Sequence, residues 1–206
     1  MEPMSSSANT SALSPSEYLA IERHAETKSE YINGQMYAMS GAKFVHSLIC
    51  SNLVAAIGTQ LRGQPCKVVS QDQRVKVEAS TMYTYPDVVA VCEEPRFEDT
   101  VFDTLLNPTL IIEVLSPTTE KYDRGEKFDY YSRIESLREY VLVSSDQMRV
   151  ERFTRNGTSW SYLALAAPEA TLELTSIACR TELSRIYEGV ELPPPREATA
   201  AAQRTR

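Results

Sequence analysis

Two short segments decide most of what this chain can become. Pro86 to Cys92 reads PDVVAVC, and Thr109 to Leu115 reads TLIIEVL. In both, apolar residues occupy successive positions rather than alternate ones. Because strand side chains point by turns to the two faces, such segments must be covered on both sides. They therefore belong in the middle of a sheet with other layers packed above and below. Pro86 is compatible with this, since proline is tolerated at the first position of a strand, and Ser116-Pro117 ends the second segment.

The rest of the chain supplies the layers. Ser14-Pro15-Ser16-Glu17 has the form of a helix start, with a capping Ser, a Pro at the first helical position and a Glu three residues after the cap. Glu30–Ile32 and Gln35–Met39 alternate around Asn33-Gly34, a pair suited to a two-residue hairpin turn that needs positive φ. From Lys43 to Arg62, Phe44, Leu48, Ile49, Leu53, Ala56, Ile57 and Leu61 recur at threes and fours and predict a long helix. Strands are expected at Lys67–Ser70 and Arg74–Val77, followed by a turn over Ala79–Thr84 and, after the first buried strand, an exposed acidic loop over Glu93–Asp103. A helix from about Asp123 to Arg133, a strand at Glu139–Ser144, a hairpin of Met148–Thr154 with Trp160–Leu165 and a short helix at Glu182–Tyr187 complete the pattern. This mixture predicts an α/β (α+β) fold with a mixed β-sheet flanked by helices. The folded unit is expected over 14–192, between tails at 1–13 and 193–206 that hold nothing to bury.

Charge and cysteine usage narrow the function. A formal net charge of -7 argues against a protein that coats nucleic acid with a basic face, but a nuclease with acidic metal ligands remains compatible with it. No apolar run reaches the ~18 residues of a membrane helix and the first residues do not resemble a signal peptide, so a cytoplasmic protein without membrane contact is expected. Cys50, Cys66, Cys92 and Cys179 form no CxxC pair and are read as free, partly buried thiols. There is no Gly-rich phosphate loop and no GxSxG elbow to support an NTPase or a serine hydrolase.

Two carboxylates interrupt the buried strands. Asp87 stands at the mouth of PDVVAVC and Glu113 lies inside TLIIEVL. An ionised carboxylate there is costly unless it is paired or bound to a metal. Lys127, on the following helix, is the nearest basic candidate to face it. Asp87 with Glu113 would make a pair of hard oxygen ligands for Mg²⁺ or Mn²⁺, and Lys127 could then steady a nucleophile or developing charge. The other reading of the same residues is a structural Glu113–Lys127 salt bridge with Asp87 capping a turn. Spacing leaves both open. His46 and Cys50 share a helix side, but two soft ligands are not a zinc site. Arg124 is a candidate phosphate contact and Tyr131 a candidate for stacking on a base. Arg149, Arg152 and Arg155 are read as a solvated surface.

The segments EYINGQMYAMSGAKFVHSLI, TYPDVVAVC, NPTLIIEVLSPTTEKYDRGEKFDYY and SLREYVLV together resemble the Uma-type restriction endonucleases of the PD-(D/E)XK nuclease superfamily. The resemblance spans most of residues 15–190. It implies a restriction-endonuclease-like fold, Asp87 and Glu113 as metal ligands, an acidic contribution from Glu30, and nucleic acid, chiefly DNA, as substrate. It also places a histidine near the site, which gives His46 a contact with substrate or water. One departure is plain: the superfamily's lysine two residues after the Glu is Leu115 here, so Lys127 must take its part. The rival expectations are a non-cleaving nucleic-acid-binding protein on the same fold and a homodimeric scaffold.

Overall fold

A computed structural model describes residues 12–79 and 81–194. Apart from their innermost residues, the two expected tails lie outside the described residues. Helix α1 (Pro15–Glu22) starts at the Ser14–Glu17 capping box, with both reciprocal bonds formed. Strands β1 (Ser29–Ile32) and β2 (Gln35–Ala38) pair antiparallel across Asn33 and Gly34, whose φ values of 48° and 92° are what this turn requires. Helix α2 (Phe44–Gln60) follows, then β3 (Lys67–Ser70), β4 (Arg74–Val77), β5 (Met82–Thr84), β6 (Val88–Val91), β7 (Thr104–Leu105) and β8 (Leu110–Leu115). A helical stretch comes next, with α3 (Glu120–Tyr122), a π-helical turn over Asp123–Lys127 and α4 (Phe128–Tyr131). The chain then forms β9 (Glu139–Ser144), β10 (Val150–Asn156), β11 (Ser159–Leu165), β12 (Thr171–Leu174), β13 (Cys179–Glu182) and α5 (Leu183–Ile186).

The doubly apolar segments sit where their composition demands. The main sheet runs β11-β10-β9-β8-β6-β3, and every residue of β6, β8 and β9 is buried. One face, with Val88, Ala90, Leu110, Ile112, Val114, Val141 and Val143, packs on α2, α5 and the β12–β13 hairpin. The opposite face, with Val89, Val91, Ile111, Leu115 and Leu142, packs on Tyr131, Ile134 and Leu137 and on Val75, Val77 and Met82 of a second sheet. That second sheet runs β2-β1-β5-β4-β7. Helix α1 covers it through a separate cluster of Tyr18, Leu19, Tyr31 and Tyr83.

Several expectations need correction. The stretch Ala79–Thr84 holds strand β5, whose Met82, Tyr83 and Thr84 are wholly buried between β1 and β4. The acidic segment Glu93–Asp103 is tied down rather than a plain exposed loop: Arg23 meets Asp99 at 2.7 Å and Asp103 at 2.9 Å, and Arg74 meets Asp103 at 2.5 Å. Cys66 and Cys92 are disulfide-bonded, while Cys50 and Cys179 are free and buried. The cause lies in strand register, since Lys67 pairs with Val91 and the next step outward sets Cys66 beside Cys92. Distance along the chain concealed that adjacency.

The arginines in and just before β10 are likewise engaged. Arg149 bonds Glu151 at 2.6 Å. Arg155 donates to the carbonyls of Ser132 at 2.7 Å, Leu137 at 2.7 Å and Ile134 at 2.9 Å, and its guanidinium lies 4.4 Å from the Trp160 ring centre. It closes the carbonyl-rich stretch after α4, a task that needs a planar, multi-donor head. Replacing Arg155 by Ala should lower stability by about 1–2 kcal/mol, in the range of lost charge-assisted hydrogen bonds. Lys at that position should recover less than half of this. Urea unfolding checks both, and an Ala variant within about 0.5 kcal/mol of wild type would return Arg155 to the solvated surface.

Candidate active site

The site forms where the two sheets approach each other. The link from β5 to β6, Tyr85-Pro86-Asp87, carries the chain from the second sheet to the main one. In the antiparallel β6–β8 pair, Val88 stands opposite Ile112, so the next step sets Asp87 opposite Glu113. The Asp87 amide lies 3.4 Å from Glu113 Oε2, and the Val114 amide donates to Asp87 Oδ2 at 2.7 Å. The two acids singled out by their apolar surroundings are therefore cross-strand neighbours. Asp87 keeps a side chain 18% exposed, whereas Glu113 is buried.

Lys127 reaches them from the helix. Its ammonium lies 3.0 Å from Glu113 Oε1, 3.1 Å from Glu30 Oε1 and 3.4 Å from Asp123 Oδ1. The π-helical turn ends at this residue and sets its direction, and the Tyr122 ring centre is 5.7 Å from the ammonium. Glu30 arrives on β1. Pairing of Tyr31 with Tyr83 brings it beside Thr84 of β5, whose hydroxyl donates to Glu30. Tyr131 completes the group by donating to Glu113 Oε1 at 2.8 Å, 3.2 Å from the Thr84 hydroxyl.

Charge is unevenly matched in this cluster. Glu30, Asp87, Glu113 and Asp123 face Lys127 and, at the rim, His46, whose Nε2 is 3.1 Å from Asp87 Oδ2. Burial, with the nearby charges of Asp87, Asp123 and Glu30, outweighs Lys127 and pushes the Glu113 carboxyl up to about 8. Burial likewise raises Asp123. For Lys127, burial works against the charge, but Glu113, Glu30 and Asp123 prevail and hold the ammonium well above its ordinary range. For His46, too, burial disfavours the charge, yet Asp87 and Cys50 outweigh it and lift the imidazole to about 10. The group is an acid-rich nest with too little positive charge of its own. The hydroxyl of Tyr122, buried and without a hydrogen-bond partner, lies in a residue stacked on the same ammonium. A hard divalent cation between Asp87 and Glu113 fits the donor chemistry and would offset the surplus.

Other residues fall differently. Tyr131 is wholly buried and hydrogen-bonded to Glu113, so its ring has no path to stack on a base. Arg124 is ion-paired to Glu120 at 2.9 Å and to Glu151, so its guanidinium is already engaged. Leu115, two residues after Glu113, is buried against the apolar face of the sheet. Asp123 and Thr84 escaped notice in the sequence. The four-residue spacing of Asp123 from Lys127 was a readable signal, whereas Thr84 became relevant only once β5 was a strand.

A family model described as "Putative restriction endonuclease", Uma2, matches residues 15–184. Among relatives, the uncharacterized protein slr1290 of Synechocystis is 37% identical over 187 residues, covering 90% of this chain and 97% of its own. A second Synechocystis protein, the uncharacterized sll1609, is 33% identical over 169 residues, covering 82% and 96%. The crystal structure of a "putative nuclease belonging to DUF820" from Anabaena variabilis superposes with a TM-score of 0.73 at 19% identity, over 87% of this chain and 99% of that one. The shared fold is thus a nuclease-type mixed sheet flanked by helices.

Removing the ammonium alone should be more damaging than removing the whole pair. Lys127→Met leaves Glu113, Glu30 and Asp123 uncompensated in a buried setting and should destabilise by about 3–5 kcal/mol. Lys127→Met combined with Glu113→Gln should regain at least about 1 kcal/mol of that loss. Urea melts of the two variants and of Glu113→Gln alone close the cycle. Strict additivity would show that the two side chains do not interact.

Proposed function

The chain belongs to the Uma2 family of restriction-endonuclease-like proteins, and from that premise we propose that it is a Mg²⁺-dependent endonuclease acting on DNA. Support comes chiefly from one observation. Three carboxylates delivered by a strand of each sheet and by a helix converge on the single ammonium of Lys127, with a fourth, Asp87, at the solvent edge. A structural salt bridge needs one acid per base. Without a cation the excess is relieved by the proton that Glu113 keeps up to about 8, and a divalent cation would take that proton's place.

In this reading Asp87 and Glu113 hold the cation, with Mn²⁺ as an alternative to Mg²⁺. The bound cation would supply charge stabilisation at a non-bridging phosphate oxygen and favour ionisation of water. Lys127, in contact with both Glu113 and Glu30, would orient the attacking water. It fixes Glu113 and Glu30 and keeps both aimed into the site. Tyr131 locks the same Glu113 oxygen from below, so the other oxygen, Oε2, is left facing Asp87. His46, 16% exposed at the rim, has Nε2 against Asp87 and Nδ1 against Cys50, so in this reading it steadies Asp87 beside the approaching phosphate. The oxygen of water would bond to phosphorus as the ester bond on the far side breaks, with the proton lost by water passing to solvent at the open rim and the departing oxygen taking one up from solvent.

Purified protein with Mg²⁺ or Mn²⁺ should nick supercoiled plasmid. Asp87→Asn is the decisive variant, because this side chain sits at the rim and its loss leaves the buried ammonium cluster in place. Nicking should fall by at least about 100-fold, the scale expected for removing a charge-stabilising group, with the melting temperature little changed. Chelation by EDTA should abolish cleavage and fresh Mg²⁺ restore it. Equal nicking by the wild type and Asp87→Asn would defeat the assignment, and binding of plasmid without cleavage would favour the non-cleaving rival that Leu115 suggests.

A further inference from the structure

Beside the acid-rich nest lies a second group of ligands with different chemistry. His46 and Cys50 are four residues apart on α2 and therefore share one side of the helix. The Cys50 sulfur lies 3.7 Å from His46 Nδ1, and His46 Nε2 lies 3.1 Å from Asp87 Oδ2. One ligand atom from each of these three residues falls within 4.8 Å of the other two. Around tetrahedral Zn²⁺, ligands at 2.0–2.3 Å are separated from each other by roughly 3.4 Å. The two short contacts run to opposite nitrogens of the imidazole, only one of which can face a given ion. The ring must therefore turn, and the 4.8 Å spread of the three ligand atoms must contract, for the site to close. We propose that His46, Cys50 and Asp87 form a binding site for a thiophilic divalent cation of the Zn²⁺ class, distinct in chemistry from the hard-oxygen pair.

Three protein ligands with one open position are a usual arrangement for an accessible zinc ion. His46 and Asp87 are 16% and 18% exposed while Cys50 is buried, so an ion would reach the site from the His46–Asp87 side. A soft thiolate selects against Mg²⁺ and for Zn²⁺ or Co²⁺. On binding, the thiol releases its proton to solvent and the imidazole gives up the proton it shares with Asp87, so cation uptake exchanges against protons. Asp87 belongs to both groups. A cation held by Cys50 therefore takes that carboxylate away from the Asp87–Glu113 pair, and the two cations exclude each other. This exclusion rests on the hard-cation reading of the site; the thiolate site does not.

The full chain, reduced at Cys50 and free of metal, is titrated with Co²⁺ and followed by absorption. Wild type should develop a near-ultraviolet thiolate-to-cobalt band and visible bands of tetrahedral intensity at one ion per chain. Cys50→Ser should lose the near-ultraviolet band, His46→Ala should lose the tetrahedral bands, and Cys179→Ser should keep both. No thiolate band in the wild type, or an unchanged band in Cys50→Ser, overturns the proposal. Folding of each variant is checked by circular dichroism, and His46→Ala, nearer the surface, stands in if Cys50→Ser does not fold. Electron paramagnetic resonance of bound Mn²⁺ tests exclusion: one equivalent of Zn²⁺ should release Mn²⁺ from wild type but not from Cys50→Ser. Mn²⁺ that stays bound while the thiolate site is full overturns the exclusion. A chain that never binds Mn²⁺ defeats the hard-cation reading instead, and leaves the cobalt result to decide this one.

Discussion

The ammonium of Lys127 is the point on which the architecture turns. It lies 3.0–3.4 Å from carboxylates on β1, on β8 and one helical turn before itself. Each of those groups is buried, and each would be expensive to leave charged in that environment without it. The two sheets are thereby joined by a polar contact as well as by apolar packing. Thr84 and Tyr131 extend the link, one bonding Glu30 and the other bonding Glu113. Stability and the proposed chemistry would draw on the same atoms, because the charge that joins the sheets also fixes the acids.

The gradient of exposure across the cluster gives this arrangement a direction. Lys127, Tyr131 and Glu113 form a closed floor, while Asp87 and His46 open toward solvent. A hydrogen-bonded floor limits the movement of the carboxylates, and the rim leaves Asp87 and His46 partly exposed. Preorganisation of this kind is what electrostatic catalysis requires, since fixed charges need not reorganise as the reaction proceeds.

Much of the site was legible in the chain because it broke a local rule. Asp87 and Glu113 stood out as acids among residues that seek burial, and Lys127 was found because some base had to answer Glu113. The central position of β6 and β8 followed from their doubly apolar composition. What escaped was set by pairing between distant segments. Strand β5 is three residues long and is held by neighbours on either side; alone it carries too little pattern to be distinguished from a turn. The Cys66–Cys92 bond is fixed by the β3–β6 register, and Arg155 finds its carbonyl partners only after β10 lies against the end of the helical segment. The alternation of buried Leu172 and Leu174 with exposed neighbours in β12 was present to be read and was missed.

The wide turn from Asp123 to Lys127 has a consequence for how a site of this kind can change. Successive residues of a regular helix are rotated by about 100°, and a π-helical turn holds one more residue than a regular one. Deleting a single residue from this stretch would relax it into ordinary winding and swing the ammonium away from the sheet. The amine is thus located by the pitch of a short backbone segment rather than by its count from Glu113. Insertions elsewhere in the connection would leave its aim intact, which frees the loop between strand and helix to vary in length.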